Sequence, residues 1–527
     1  MVSSLLVDAL ARPSDLLIEL SRAPDDGQEF PTRVASYFDG IFSSQDAFNE
    51  ITVLDLHTPP ESLKSRSLVR FDCMIQDTSC SPEVYLSKHS NGDCGGWGLT
   101  EPDGAISSDS SVDYTLLKEC SVVWAVSIPG KNHWCSDAGG ASRDTSASSL
   151  LPHKYPLHST PHLGVQVKIY DPAQSEPLRA TDLYSFIGIL GTEPWSTSLE
   201  PTSSAPVPTI HVVFSRRIAP TIVPRLFPDP SLQDSTIREQ LISWIAQEGL
   251  SGDQLAAELV LLSIISKVQS RVPPILPLSL ALTGYGPSLS RTPKLVLVLS
   301  ELVPMLSVLP LSLEVLNSTP FIPESKEEDL HSGWLQLPKG SLCVVSEISL
   351  EEGHISEKGV LNLRTVQDAM AYQTVDYVFP FSRFSFETDM PFLVLSSGKS
   401  SPFFKVPVQA QTEENGEGLY AADDHSIRFP SPELLSEFRK LIGGAKIASV
   451  TLDGTTANFI QDDFVKERQT ASSNKNAGKT GVVTSDDLIT RMMVAKLLAA
   501  TLHQPEVTTE VWERAKALDA QRKARLL

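Results

Sequence analysis

Through the first fifty positions apolar residues recur at helical spacing: Leu16, Leu17 and Leu20 behind Ser14 as an N-cap, then Val34, Tyr37, Phe38 and Ile41. This predicts a helical segment over residues 1–50. From Ser67 the period shortens to two. Leu68 to Ile75, Val122 to Ile128 and Val165 to Tyr170 alternate, and Leu183 to Leu190 reads as a further strand. Gly, Asn, Asp and Pro separate these runs, the pattern of a small antiparallel barrel. Ser136–His162 is poor in apolar residues and rich in Ser, Gly, Pro and His, so a mobile insertion between strands is expected there. Ile210 to Phe214 adds a strand after the proline-rich 201–208. The barrel domain is thus expected over 51–219, with the prolines of 220–230 closing it.

Beyond that boundary helix and strand patterns alternate. Thr236 and Glu239 have capping-box spacing, and Leu255, Leu259, Leu262 and Ile265 line one face of a second helix. Apolar runs follow at Leu276–Leu282, Leu306–Leu316, Leu342–Val345 and Phe392–Leu395. Short continuous runs between helices predict a parallel sheet covered on both faces, over 231–447. Gln409–Ser426 reads as an acidic loop. Residues 448–527 are predicted helical, with core-facing stripes Leu488, Met492, Ala495, Leu498, Leu502 and Val511, Ala515, Leu518.

Charge narrows the classes of partner. The 527 residues carry 43 Lys+Arg against 64 Asp+Glu, a formal net of −21. Such a surface repels phosphate backbones and anionic headgroups, which argues against a sequence-independent grip on nucleic acid or membrane. Met1–Arg12 has no basic flank and does not read as a signal peptide. Val272–Ser290, the longest uncharged window, contains four prolines and is a poor bilayer-spanning helix. Six cysteines without a dense framework suit a reducing compartment, so a soluble intracellular protein is expected.

The candidate chemistry mostly fails on spacing. Gly398-Lys399-Ser400 and Gly478-Lys479-Thr480 resemble phosphate loops, but the leading glycine position holds Leu393 and Ser473. Cys73, Cys80, Cys94, Cys120 and Cys135 form no C-x-x-C pair, and His89 or His133 would join a zinc cluster only by folding. No G-x-S-x-G or H-E-x-x-H signature occurs. Trp97, Trp124 and Trp134 would stack bases only if a basic groove surrounded them. Asp462-Asp463 and Glu351-Glu352 read as solvated structural pairs.

Several segments in order resemble the minichromosome maintenance (MCM) complex-binding protein family: Ser67 to Asp77, Ile128-Pro129-Gly130 with Trp134, Val167 to Tyr170, Leu335-Gln336-Leu337-Pro338, Asp462 to Val465, Ser485 to Leu488, and Trp512 to Lys516. The resemblance runs from about residue 10 to the C-terminus, with the family's variable insertion shortened to Ser136–His162. It implies an α/β multi-domain chain: an oligonucleotide/oligosaccharide-binding-like (OB-like) barrel, a degenerate AAA+-like module and a C-terminal helical lid. The nucleotide-site positions would be Gly284, Gly286 and Ser290, in a loop lacking the phosphate lysine, and Ser346-Glu347, where serine replaces the metal-binding aspartate. The resemblance therefore implies no enzyme activity, no cofactor and no metal. It implies MCM helicase subunits as protein partners, indirect chromatin association, no membrane or tight nucleic-acid contact, nuclear residence, and roles in MCM assembly or unloading and in sister-chromatid cohesion. A divergent ATPase and a single-strand-binding barrel are the alternatives. The sequence does not identify the partner-binding residues; exposed positions around Trp512 and Arg514 on the last helices and the acidic loop near Asp423-Asp424 are the places to look. The Arg522-Lys523-Ala524-Arg525 cluster reads as a solvated helix end.

Overall fold

The computed structural model describes the chain except for residues 1–3, 25–26, 90–91, 100–112, 136–150, 159, 196–205, 219–222, 224, 287–290, 328, 414–416, 422–426, 474–483 and 527. Four helices open it: α1 (Ser4–Ala11), α2 (Pro13–Arg22), α3 (Phe30–Ile41) and α4 (Gln45–Asn49). Helix α2 starts on Pro13, whose fixed φ suits a first helical position. Ser14 therefore lies inside the first turn instead of capping it. Leu17, Val34 and Phe38 pack on Ile187, Ile189 and Phe214 of the strands that follow.

Five strands form a closed ring: β1 (Leu68–Asp77), β2 (Leu117–Ser127), β3 (Gly164–Ile169), β4 (Leu183–Pro194) and β5 (Pro206–Arg217). Around the ring the order is β1-β4-β5-β3-β2 and back to β1. All pairings are antiparallel except β3 with β5. Alternate side chains such as Phe71, Cys73, Val123, Val165, Val167, Phe186 and Ile210 fill the interior. Ile187 and Ile189 face outward, yet they are buried because the opening helices cover them. That second cover is why β4 reads as a continuous apolar run. A short helix, α5 (Pro172–Ser175), follows β3.

The remainder is an α/β body. Its parallel sheet contains β6 (Leu280–Thr283), β7 (Leu306–Pro310), β8 (Leu342–Ser346), β9 (Phe392–Ser396) and β10 (Val408–Gln411), in the order β7-β8-β9-β6-β10. The first strand is thus inserted between the fourth and fifth. Strand alternation divides the sheet between two cores. Leu280, Leu282, Val344, Leu393 and Leu395 face α6 (Ser235–Trp244), α7 (Gln254–Ile265), α8 (Lys294–Leu302) and α11 (Pro432–Ile447). Ala281, Cys343, Val345, Phe392 and Val394 face α9 (Leu313–Ser318) and α10 (Glu357–Tyr372). The run Leu306–Leu316 is therefore two elements: Pro310 ends β7, and the Ser312 hydroxyl accepts from Val315 N–H to start α9. The run at Leu276 likewise becomes a strand only from Leu280.

On the α9–α10 side lies an outlying four-stranded sheet of Asp329–His331, Glu324–Lys326, Thr374–Phe379 and Ser382–Glu387. Three helices close the chain: α12 (Gly454–Ser473), α13 (Ser485–Thr501) and α14 (Thr509–Arg525). The molecule is a mixed α/β protein with fourteen α-helices among the described residues.

Candidate functional site

Parallel strands β6, β8 and β9 end along one edge of the sheet, where a nucleotide would sit in a doubly wound fold. After β6, Gly284 turns with φ +88° and its N–H donates to Gly398 O at 3.1 Å. The Tyr285 N–H donates to Ser396 O at 3.1 Å. Those amides are thus spent on β9 and its turn and do not point at a ligand. The Tyr285 ring is fully buried and meets Tyr420 edge-on, 6.2 Å between centroids, while the Tyr420 hydroxyl donates to the Gly286 carbonyl. Ser290 lies outside the described residues.

Ser346 ends β8 and Glu347 follows it, both buried. The Glu347 N–H donates to Leu395 O at 2.8 Å, and its carboxylate accepts from the Ser401 hydroxyl at 2.6 Å. Burial pushes this carboxyl above the usual range against the opposing serine donors, Ser401 and Ser396. Among the described residues its electrostatic neighbours are the serines, with no lysine or arginine. The Gly398–Ser400 turn, which has Leu393 in place of a phosphate loop's leading glycine, is folded beside Gly284, with Lys399 exposed. The second such tripeptide, Gly478–Thr480, lies outside the described residues.

Several of the residues that carry the family resemblance lie elsewhere, where barrel and body meet. Gly130 O accepts from Leu306 N–H at 2.8 Å, and Gly130 has φ +67°. A Cβ at that position would come within 2.5 Å of Leu306 O, so only glycine fits. The Trp134 indole donates to Ser300 O at 2.9 Å, beneath the Arg439 guanidinium 3.9 Å from its ring. Gln76 and Gln336 are reciprocally bonded and buried: Gln76 Nε2 donates to Gln336 Oε1 at 3.3 Å and to Leu330 O at 3.1 Å, and Gln336 Nε2 donates to Gln76 O at 2.7 Å. Beside them the wholly buried Lys154 Nζ lies 2.9 Å from Asp77 Oδ2 and 2.5 Å from Asp329 Oδ1.

Lys154 belongs to the segment expected to be mobile. Residues 136–150 and 159 of that segment are outside the described residues, but Lys154, Tyr155 and His162 are packed and buried. His153, next to Lys154, approaches Asp329 Oδ2 at 2.8 Å and lies against His331, with ring centroids 4.3 Å apart and planes tilted by 34°. Sequence reading missed this trio, because no local spacing joins residues 176 positions apart.

The other candidates resolve into structural roles. Trp97 and Trp124 are buried, and the Trp97 indole donates to Val212 O at 2.9 Å, so neither is free to stack a base. All six cysteines are unpaired thiols, five of them buried, and burial pushes Cys120 and Cys135 up to about 11. No metal-binding group that includes a cysteine occurs among the described residues. Trp512, around which exposed partner-facing positions are sought, is itself buried. Its indole donates to Asp463 Oδ2 at 3.0 Å, and Lys516 donates to the same carboxylate at 2.7 Å. Arg514 is half-exposed and pairs with Glu258 at 3.0 Å. Arg522, expected solvated, is also buried, paired with Asp519 at 2.6 Å. Asp423 and Asp424 lie outside the described residues.

A family model described as mini-chromosome maintenance replisome factor matches residues 38–154 and 138–526. The chain is 25% identical to the mini-chromosome maintenance complex-binding protein of Salmo salar, over 98% of this chain and 97% of that protein. The Gallus gallus protein of the same name is 24% identical over 99% and 98%, and that of Arabidopsis thaliana is 24% identical over 94% and 93%.

Proposed function

The chain belongs to the mini-chromosome maintenance replisome factor family, and from that premise we propose that it is a non-enzymatic factor that binds MCM helicase subunits. In this role it assists their assembly and their unloading from chromatin in the nucleus, with a consequence for sister-chromatid cohesion. One observation carries the reading: the match to proteins named for binding the MCM complex is collinear and spans nearly the whole chain.

The architecture supports the finer part. A five-stranded ring closed through a single parallel pair, β3 with β5, has the strand order of an OB barrel. A parallel sheet with its first strand between the fourth and fifth has the order of an AAA+ core. In that frame the phosphate loop lacks lysine and is filled by Tyr285, and Glu347 stands without an aspartate partner. Phosphoryl transfer depends on positioned cations and a metal carboxylate, so this edge offers no hydrolytic stabilisation. A module of this kind pairs with an MCM protomer as a neighbour does, without completing an active site.

The outlying hairpin is the surface best suited to the contact. Ser382–Glu387 is an exposed edge strand at all six positions, and Phe381 at its tip is fully exposed. Unpaired edges and projecting aromatics are what protein partners engage. Affinity purification of the full chain from cells, followed by mass spectrometry, is the test. MCM subunits enriched above background are expected, and their absence would overturn the proposal. Purified protein is expected to show no ATP turnover; a turnover abolished by Glu347→Gln would establish the ATPase reading instead.

A further inference from the structure

We propose that His153, Asp329 and His331 form a binding site for a divalent transition-metal ion of the Zn²⁺ type, which clamps the segment between β2 and β3 onto the outlying sheet.

The three residues each offer one ligand atom, and these atoms all lie within 4.8 Å of one another. Backbone geometry brings two of them together. Asp329 and His331 are alternate residues of one strand and share a face, while Leu330 between them is buried on the other side. His153 is presented from the single-turn helix Pro152–Lys154. Two imidazoles with one carboxylate are a donor set suited to Zn²⁺, with a fourth position left for water or another ligand. His153 and His331 both line a cavity of about 280 Å³, together with His158, Glu324 and Lys326. Glu324 stands directly opposite His331 in the antiparallel pair, and its carboxylate is held by Lys326 at 3.0 Å.

An outer layer already orients the ligands. Lys154 Nζ holds Asp329 Oδ1 at 2.5 Å, which leaves Oδ2 for the metal. Without metal, Oδ2 and His153 Nε2 share a hydrogen bond of 2.8 Å. Metal binding moves that imidazole proton to Nδ1 and frees the Nε2 lone pair. Since Lys154 is also bonded to Asp77 of β1, the ion would tie barrel, insertion and body at one point.

The test uses the full-length chain, stripped with chelator and titrated with Zn²⁺ against a chromogenic competitor, then with Co²⁺ for its visible spectrum. One equivalent of Zn²⁺ is expected to bind and to raise the thermal midpoint. His153→Gln and His331→Gln should each weaken binding by at least the about 10–100-fold that loss of an outer-shell partner alone costs, while Cys80→Ser leaves it unchanged. The Co²⁺ form should show ligand-field bands without thiolate charge transfer, a reading that needs no variant to fold. Failure to retain Zn²⁺ against the competitor, equal affinity in the histidine variants, or thiolate charge transfer would each overturn the site.

Discussion

Replacing Lys154 with methionine probes how barrel and body are held together. The side chain is wholly buried, its Nζ lies 2.9 Å from Asp77 and 2.5 Å from Asp329, and it also donates to Leu330 O at 3.3 Å. Methionine keeps the apolar stem and nearly the volume, so little cavity opens and the effect is electrostatic. What remains is the Asp77 carboxylate, 1% exposed and stripped of its cation. Removing one partner of a buried pair costs about 3–5 kcal/mol, on the order of 10²–10⁴ in the folded-to-unfolded ratio. A urea titration followed by tryptophan fluorescence reads it directly, since Trp195 lies 5.0 Å from Lys154 Nζ. The midpoint should fall while the slope is unchanged. Adding Asp77→Asn should recover part of the loss, because the stranded charge is then gone. The pH dependence gives a second check. Burial opposes the ammonium charge, but Asp77 and Asp329 together hold its pKa above the ordinary lysine value. A raised lysine contributes stability below its unfolded pKa and loses it as pH rises through the folded one. The wild type should therefore weaken only at strongly alkaline pH through this group, and the variant should lack that step. A loss under about 1 kcal/mol, or strict additivity with Asp77→Asn, would refute the reasoning.

Four further outcomes are expected. Glu193 is held down to about 2, first by His211 and then by Lys168; a lowered acid stabilises above its unfolded pKa, so Glu193→Gln should cost about 1–3 kcal/mol at pH 7, and chemical denaturation should show the difference vanishing between pH 5 and 2. Glu347→Gln should change stability by no more than about 1 kcal/mol, because burial already disfavours the charge there; a larger loss in a thermal or urea melt would reveal a cation partner. Trp512→Ala should cost about 3–5 kcal/mol in the same melt, since a buried indole and its bond to Asp463 are both lost. Phe381→Ser should leave the thermal midpoint in place and reduce recovery of MCM subunits several-fold in affinity purification; unchanged recovery would clear the hairpin of the contact.

The segments that signalled the family in the sequence are largely internal joints. Gly130, Trp134, Gln76 and Gln336 join barrel to body, and Asp463 joins α12 to α14 through Trp512 and Lys516. Each looked like an isolated motif because its partner is far away in the chain. The nucleotide-site positions Gly284, Gly286 and Glu347 were nameable only through the family resemblance, which sets them just after apolar runs. That Tyr285 fills the loop and Ser401 holds Glu347 was not, because both depend on packing between different loops.

By itself the sequence located β1 to β5 and β8 and β9 to within a few residues, for side-chain alternation and apolar continuity are local properties of a strand facing one or two cores. It also determined the opening and closing helices, whose stripes repeat within a few turns. Only the tertiary structure decided that the five barrel strands close through β3 and β5, that β6 inserts between β9 and β10, and that Lys154 and Trp512 are buried. Those outcomes turn on contacts between residues tens to hundreds of positions apart. Their free energies come from burial and charge pairing that no local window contains.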